Sequence, residues 1–413
     1  MKRLWARTGA FDRPSRLLMV NQFAINLGFY MLMPYLADHL AHGLGLAAWA
    51  VGLVLGVRNF SQQGMFLFGG TLADRYGCKP MILTGCALRA VAFGLLAVAD
   101  SLPALVAASA LTGLAGALFN PAVRAYLAAD AGEERRVAAF AAFNVFYQAG
   151  VLAGPLAGLA LLTWDFGAVC TVAALVFGAL AVLQARALPA RPPAGRSGEP
   201  AWRAVATDWR TVAANRPFLL FAAAMSGSYV LAFQVYLALP LHARALFGQR
   251  TGAVTGTVFA ASALAALAGQ LKLTAWAQRT LTGPQAVACG LAVMGAAFLP
   301  LLPRSRGALA GAVALTLCAV LLACGGALLY PFEMDTVVRL SGDRLVATYY
   351  GAYSTASGIA VSLGNLAVGA LFDTGVGWLP WAALTATGFG CAALVVRLHR
   401  AGHLVARPAP VAG

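Results

Sequence analysis

Twelve times along this chain the sequence runs apolar for about 20 residues, the length an α-helix needs to cross a bilayer core. The runs lie near residues 17–38, 47–69, 80–99, 103–127, 138–163, 166–187, 217–240, 252–272, 284–302, 307–332, 346–371 and 377–397. Lipid offers backbone N–H and C=O groups no partner, so each run must satisfy its own as a helix. The runs are too long, and alternate too little, for the strands of a membrane barrel. The expected fold is an all-α polytopic membrane protein with twelve transmembrane helices.

Charge gives the orientation. The net charge is +15, which on a soluble protein would suggest nucleic acid. Placing the N-terminus in the cytoplasm and alternating sides puts 23 of the 29 lysines and arginines in cytoplasmic segments. Arg244, Arg250, Arg304 and Arg306 fall outside, and Arg58 and Arg89 lie within spans. That asymmetry is the positive-inside rule, with both termini cytoplasmic. Lipid, not nucleic acid, is the expected partner. The basic opening "MKRLWARTGAFDRPSR" is followed by a full-length span without a small-residue cleavage site, so it reads as the lead into the first helix and not as a signal peptide.

Little points to metal or covalent chemistry. The seven cysteines show no CxxC spacing and mostly sit within spans, as small apolar filler would. "DHLAH" at 38–42 groups Asp38, His39 and His42 at a helix end, where snorkelling polar tips are ordinary. No span carries a His–Asp pair, HExxH or GxSxG, so an intramembrane enzyme is not expected, nor any cofactor or metal.

The longest polar interruption, 188–216, is rich in Pro, Gly and Arg and reads as a cytoplasmic linker between a six-helix half at 1–187 and another at 217–413. Within it "AWRAVATDWRTVAA" suits either a plain tether or a short amphipathic helix with Trp202 and Trp209 toward lipid headgroups. The halves resemble each other: residues 116–158 align with 326–369, matching Pro121 to Pro331, Phe143 to Tyr353 and Gly154 to Gly364. A repeat of two helical bundles is how many secondary transporters are built, with the substrate site at mid-membrane between them.

"GGTLADRYGCKP" (69–80) sets Asp74, Arg75 and Lys79 among glycines between two long apolar runs. Gly70 and Gly77 allow a tight connection, while Asp74, Arg75 and Lys79 sit where they can pair with charges or dipoles at neighbouring helix ends. The pattern resembles the loop signature of the major facilitator superfamily, and the resemblance implies a cytoplasmic gate in which Asp130 partners these basic residues. "GVLAGPLAG" supplies Gly150, Gly154, Pro155 and Gly158 in the fifth helix, where glycines four apart permit backbone-to-backbone packing and Pro155 a bend. This is similar to the antiporter motif of drug:proton exporters in that superfamily. Residues 51–85 look like the MdtH-type multidrug transporters of bacteria. In two places the chain departs from the exporter pattern: Ser109 stands where many carry an arginine, and Val20 near where a first-helix acid is common. The resemblance therefore implies a major facilitator fold and export of small amphipathic molecules by alternating access. It also implies proton antiport, without the usual coupling residues, by a monomer in a bacterial cytoplasmic membrane. A specific metabolite exporter or an importer of the same fold is the alternative.

Charges and amides within spans are costly and are read as functional candidates. Arg58 and Gln62 share a helix face, as do Gln22 and Asn26, and Asn144 and Gln148 flank Tyr147. With Arg89, and with Gln234, Tyr236, Tyr353 and Ser357 in the second half, these are the expected cavity residues. Asp38 and Glu333 are the acids nearest to a coupling role. For the two arginines three partners are open: helix amides, a distant acid, or the substrate. On this topology, cysteines introduced at 195 and 405 are predicted to react with membrane-impermeant maleimide only from the cytoplasmic side, and one at 248 only from outside. Labelling of 195 from outside would reverse the assignment.

Overall fold

The computed structural model describes residues 11–192, 201–248, 251–303 and 307–404, and every regular element among them is helical. Positions 195 and 405, Arg250, Arg304 and Arg306 lie outside the described residues. α1 (Arg13–Asp38) is continued by one π-turn at His39–Gly43. α2 (Ala48–Tyr76) and α3 (Cys78–Leu96) follow, separated only by Gly77, whose φ of 94° a side chain would resist. Hydrogen bonding then runs over 61 residues, Leu102–Leu162, but Gly132 there has φ 68° and ψ 170°. That glycine divides the stretch into α4 (102–131) and α5 (133–162). α6 is Phe166–Ala187, and α7, Ala201–Ala214, is a short helix in the linker. The chain continues with α8 (Arg216–Phe233), α9 (Ala238–Phe247) and α10 (Thr251–Thr280). It ends with α11 (Gly283–Ala296), α12 (Ala308–Ser341), α13 (Val346–Asp373) and α14 (Leu379–Arg400).

Each apolar run falls on a helix, the seventh on the pair α8 and α9. Ten helical stretches among the described residues are long and apolar enough to cross a membrane. The 61-residue stretch holds two runs, and α2 stands outside the ten because Arg58, Asn59, Gln62 and Gln63 interrupt its apolar surface.

The chain forms two compact units. One holds the chain up to Ala214 together with Asp343–Thr355, and the other holds Asn215–Gly342 and Ala356–Gly413. The first turns of α13 therefore belong with α1–α7, although the sequence assigns 217–413 to the second half. In the second unit Trp381 is fully buried, with Phe298, Phe372 and His242 against its indole.

In the first unit α5 seats α1. A Cβ on Gly150 would lie 2.5 Å from the Phe23 carbonyl, one on Gly154 2.7 Å from Tyr30 Cβ, and one on Gly158 2.1 Å from the Met31 carbonyl. The Tyr35 hydroxyl donates to the Pro155 carbonyl at 2.7 Å across the same seam. The three glycines are what lets α1 approach. Gly158→Ala must push backbone against backbone, so it is predicted to lower stability by about 1–3 kcal/mol. The check is the thermal unfolding midpoint of purified protein in detergent; an unchanged midpoint would show that the seam is not close-packed.

Candidate functional site

α13 begins with a defect. The first amides of any helix have no intrahelical acceptor. Here the residue before the helix is Leu345, which cannot cap, and Gly342, Asp343 and Leu345 leading into it all have positive φ. The missing acceptor comes from the end of α2. Asp74 accepts from the backbone N–H of Ala347 at 3.1 Å, from that of Thr348 at 2.7 Å and from the Thr348 hydroxyl at 2.7 Å. A carboxylate at a helix N-terminus also meets the positive end of the dipole. The helices can come this close because a Cβ on Gly70 would lie 2.1 Å from the Ala347 carbonyl, and one on Gly351 2.4 Å from the Phe66 carbonyl. Thr355 donates to the Gln63 carbonyl at 3.0 Å and Arg124 to the Ser354 hydroxyl at 3.2 Å, so the seam continues for two turns. Arg136 pairs with Asp343 at 2.8 Å just before it.

Asp74 lies past the apolar run of α2 and is 6% exposed. Burial pushes its carboxyl up from 3.8 to about 6, against the pull of the hydrogen bonds from Thr348 and Ala347, with Asp208 of α7 adding to the rise. The docked state therefore binds a proton more tightly than a solvated carboxylate does. Docking is strongest below about pH 4 and weakens as pH rises toward 6, by roughly 3 kcal/mol at the limit. α7 packs beside this contact: Trp209 donates to the Thr71 hydroxyl at 2.9 Å and meets the Phe68 ring edge-to-face at 4.8 Å. Trp209 thus lies against α2, and the side chain of Trp202 is outside the described residues.

Of the other residues of this cluster, Lys79 takes a partner other than the one the resemblance implied. Lys79 donates to the Ala185 carbonyl at 2.9 Å and not to Asp130. Asp130 accepts from Ser15 at 2.5 Å and pairs with Arg191 at the start of the linker. Arg191 also lies over the Tyr126 ring at 4.8 Å. Asp130 thus joins the linker to α1 and α4.

A second cluster lies deeper in the same unit. Arg58 on α2 donates to Asn59 at 2.8 Å and to Gln62 at 3.0 Å, as their spacing predicts. Its guanidinium sits 4.6 Å from the centre of the Phe29 ring on α1. Arg89 on α3, 6% exposed, shares that ring at 5.6 Å and also lies near Phe119 at 5.8 Å and Phe177 at 5.5 Å. An isolated charge within a span costs about 2.5–3.5 kcal/mol on insertion scales. Cation–π contacts recover part of this, on the order of 0.5–2 kcal/mol each. Beside them the hydroxyls of Tyr30 and Tyr147 lie 3.3 Å apart, and Asn26 turns back to the Gln22 carbonyl at 2.7 Å. Gln22, Asn26 and Asn144 are buried, and Gln148 is half-buried. The sequence reading missed Phe29, Phe119 and Phe177, because phenylalanines are too common in spans to mark a site.

The remaining candidates divide between the units. Tyr353, fully buried, belongs to the first unit and not to the C-terminal half. In the second, Gln234 bonds to the Val230 carbonyl at 2.8 Å and to Asn365 at 3.2 Å, Ser357 is buried, and Tyr236 is 60% exposed among Phe233 and Phe259. Glu333 is 2% exposed, whereas Asp38 lies open and meets His42 at 2.8 Å.

The family model described as Major Facilitator Superfamily matches residues 18–365. An uncharacterized MFS-type transporter of Mycobacterium tuberculosis (strain ATCC 25618 / H37Rv) is 55% identical over 367 residues, 88% of this chain and 87% of that one. Multidrug resistance protein MdtH of Salmonella newport (strain SL254) is 30% identical over 382 residues, 90% of each. Among solved structures, the human organic anion transporter MFSD10 (TETRAN) superposes with a TM-score of 0.74 at 16% identity, over 93% of this chain and 99% of that chain. The major facilitator transporter FucP, in its outward conformation, gives 0.75 at 16% identity, over 94% and 98%.

The Asp74 contact makes a direct prediction. Asp74→Asn keeps an acceptor and removes the burial cost of charge, so the amides of Ala347 and Thr348 should exchange with deuterium at or below the wild-type rate at pH 7. Asp74→Ala leaves them without an acceptor and should speed exchange at least about 10-fold. The wild type should approach Asp74→Asn as pH is lowered through about 6. Equal exchange in all three proteins would show that the carboxylate does not hold the helix.

Proposed function

This chain belongs to the major facilitator superfamily and is a transporter, and we propose that it exports small amphipathic compounds from a bacterial cell by proton-coupled antiport across the cytoplasmic membrane. The observation that carries the reading is the contact of Asp74 with the first turn of α13. A carboxylate that caps a helix from a different helix makes a contact that can be wholly present or wholly absent. Transport by alternating access needs such a two-state element. In this reading α13 leaves α2 once per cycle, and the burial cost of the ionised Asp74 makes that release accessible near neutral pH.

Export, and not import, is supported by two features: the Gly150, Gly154, Pro155 and Gly158 series that seats α1, and the 30% identity to a multidrug resistance protein. We assign proton coupling to Glu333. A buried carboxylate changes its proton affinity when its surroundings change, whereas Asp38 is already open to water beside His42. The cavity candidates Gln22, Asn26, Gln62, Asn144, Tyr147 and Gln148 suit amphipathic compounds, offering hydrogen-bonding groups among apolar walls.

The test is transport in proteoliposomes with a panel of amphipathic compounds, with and without a pH gradient. Wild-type protein is predicted to move at least one compound against its gradient only when the proton gradient is imposed. Asp74→Asn should reduce the rate at least about 10-fold at normal expression, because the docked state is no longer destabilised. Glu333→Gln should keep downhill exchange and lose the response to pH. Accumulation of compounds in cells on expression would assign import instead.

A further inference from the structure

We propose that Arg58 and Arg89 form an anion subsite that takes the carboxylate, or another compact oxyanion, of a compound with an aromatic body; this goes beyond the export reading and rests on its being a transporter. Both guanidiniums lie against one ring, Phe29, at 4.6 Å and 5.6 Å. Two like charges so placed raise each other's cost, and among the described residues neither has an acid within ion-pairing distance. Aromatic faces attract the cations but accept few of the five N–H donors each carries. The donors are in fact under-used. Arg89 makes no hydrogen bond to the described protein, and the buried Nε of both arginines lacks a partner. Arg58 uses two donors on Asn59 and Gln62, amides that a stronger acceptor can displace. A Cβ on Gly116 would lie 3.0 Å from Gln62 Nε2 and 3.1 Å from Arg89 Nη2, so the absence of a side chain there keeps both groups clear.

An oxyanion fits this arrangement better than any neutral group does. It pairs with two parallel N–H donors of a guanidinium fork and cancels charge that no acid among the described residues cancels. The rings of Phe29, Phe119 and Phe177 and the paired hydroxyls of Tyr30 and Tyr147 offer an aromatic body faces to stack on and donors at its edge. A compound carrying only a positive charge would be repelled. The subsite therefore selects acidic or zwitterionic amphipathic compounds over lipophilic cations.

The experiment uses the full chain in nanodiscs of neutral phosphatidylcholine, with 2-naphthoate and its neutral carboxamide as probes. Wild type is predicted to bind the carboxylate at least about 10-fold more tightly than the carboxamide. Arg58→Gln and Arg89→Gln should each bring the two within about two-fold, and Arg58→Lys should fall between. Naphthoate should raise the unfolding temperature of wild type and of neither glutamine variant. If Arg89→Gln does not fold, the two Arg58 variants decide. Equal affinity of wild type for both probes, or a preference that survives Arg58→Gln, overturns the proposal. So does a result in which phosphatidylglycerol in the disc abolishes the wild-type preference, because the anion is then a lipid headgroup. Protein that binds naphthoate through Arg58 but moves no compound in proteoliposomes keeps the subsite and loses the export reading. Protein that exports only neutral or cationic compounds does the reverse.

Discussion

Helix α13 starts without an acceptor for its first amides, and the carboxylate of Asp74 on α2 supplies it. Much of the described geometry around the loop between α2 and α3 serves that contact. Gly70 and Gly351 remove the side chains that would hold the helices apart, and Trp209 of the linker helix braces α2 one turn away. Because the acceptor is a carboxyl held out of water, the contact carries a built-in cost once that group is charged. A permanent joint would be better served by a neutral capping residue on α13 itself. A charged cap supplied from elsewhere suits a joint that has to open.

The bilayer imposes the opposite demand on the rest of the chain. Helices in lipid gain no hydrophobic drive from meeting each other, so they associate through close packing and polar contacts. Gly150, Gly154 and Gly158 give α1 that packing along three turns of α5. Against this background Arg58 and Arg89 stand out, since apolar residues would pack there at lower cost. The Phe29 ring stabilises both cations, and Phe119 and Phe177 add to it for Arg89, without neutralising either.

The helices were legible in the sequence because lipid leaves an apolar run of that length only one conformation. Gly132 and Gly77 mark two of their boundaries through their backbone angles alone. That Asp74 could meet a neighbouring helix end was legible too, from its place in the turn between two apolar runs, but which helix it meets was not. That partner is 273 residues away in sequence and presents backbone amides, which every residue has. For the same reason the sequence could not show that Asp343–Thr355 joins the first unit. Asp130 was expected beside the basic residues of its neighbouring loop, yet Arg191 came from a stretch that read as tether. Long-range pairing of this kind leaves no periodicity to read. The face shared by Arg58 and Gln62, by contrast, followed from helical spacing.

The central claim is that the start of α13 must leave α2 for transport to proceed. It can be tested by joining the two. Thr355 already donates to the Gln63 carbonyl at 3.0 Å, so cysteines at 63 and 355, in a background with the seven native cysteines replaced, should form a reversible crosslink. The account predicts that crosslinked protein in proteoliposomes transports nothing and that reductant restores the rate of the uncrosslinked variant. Undiminished transport by fully crosslinked protein would contradict it.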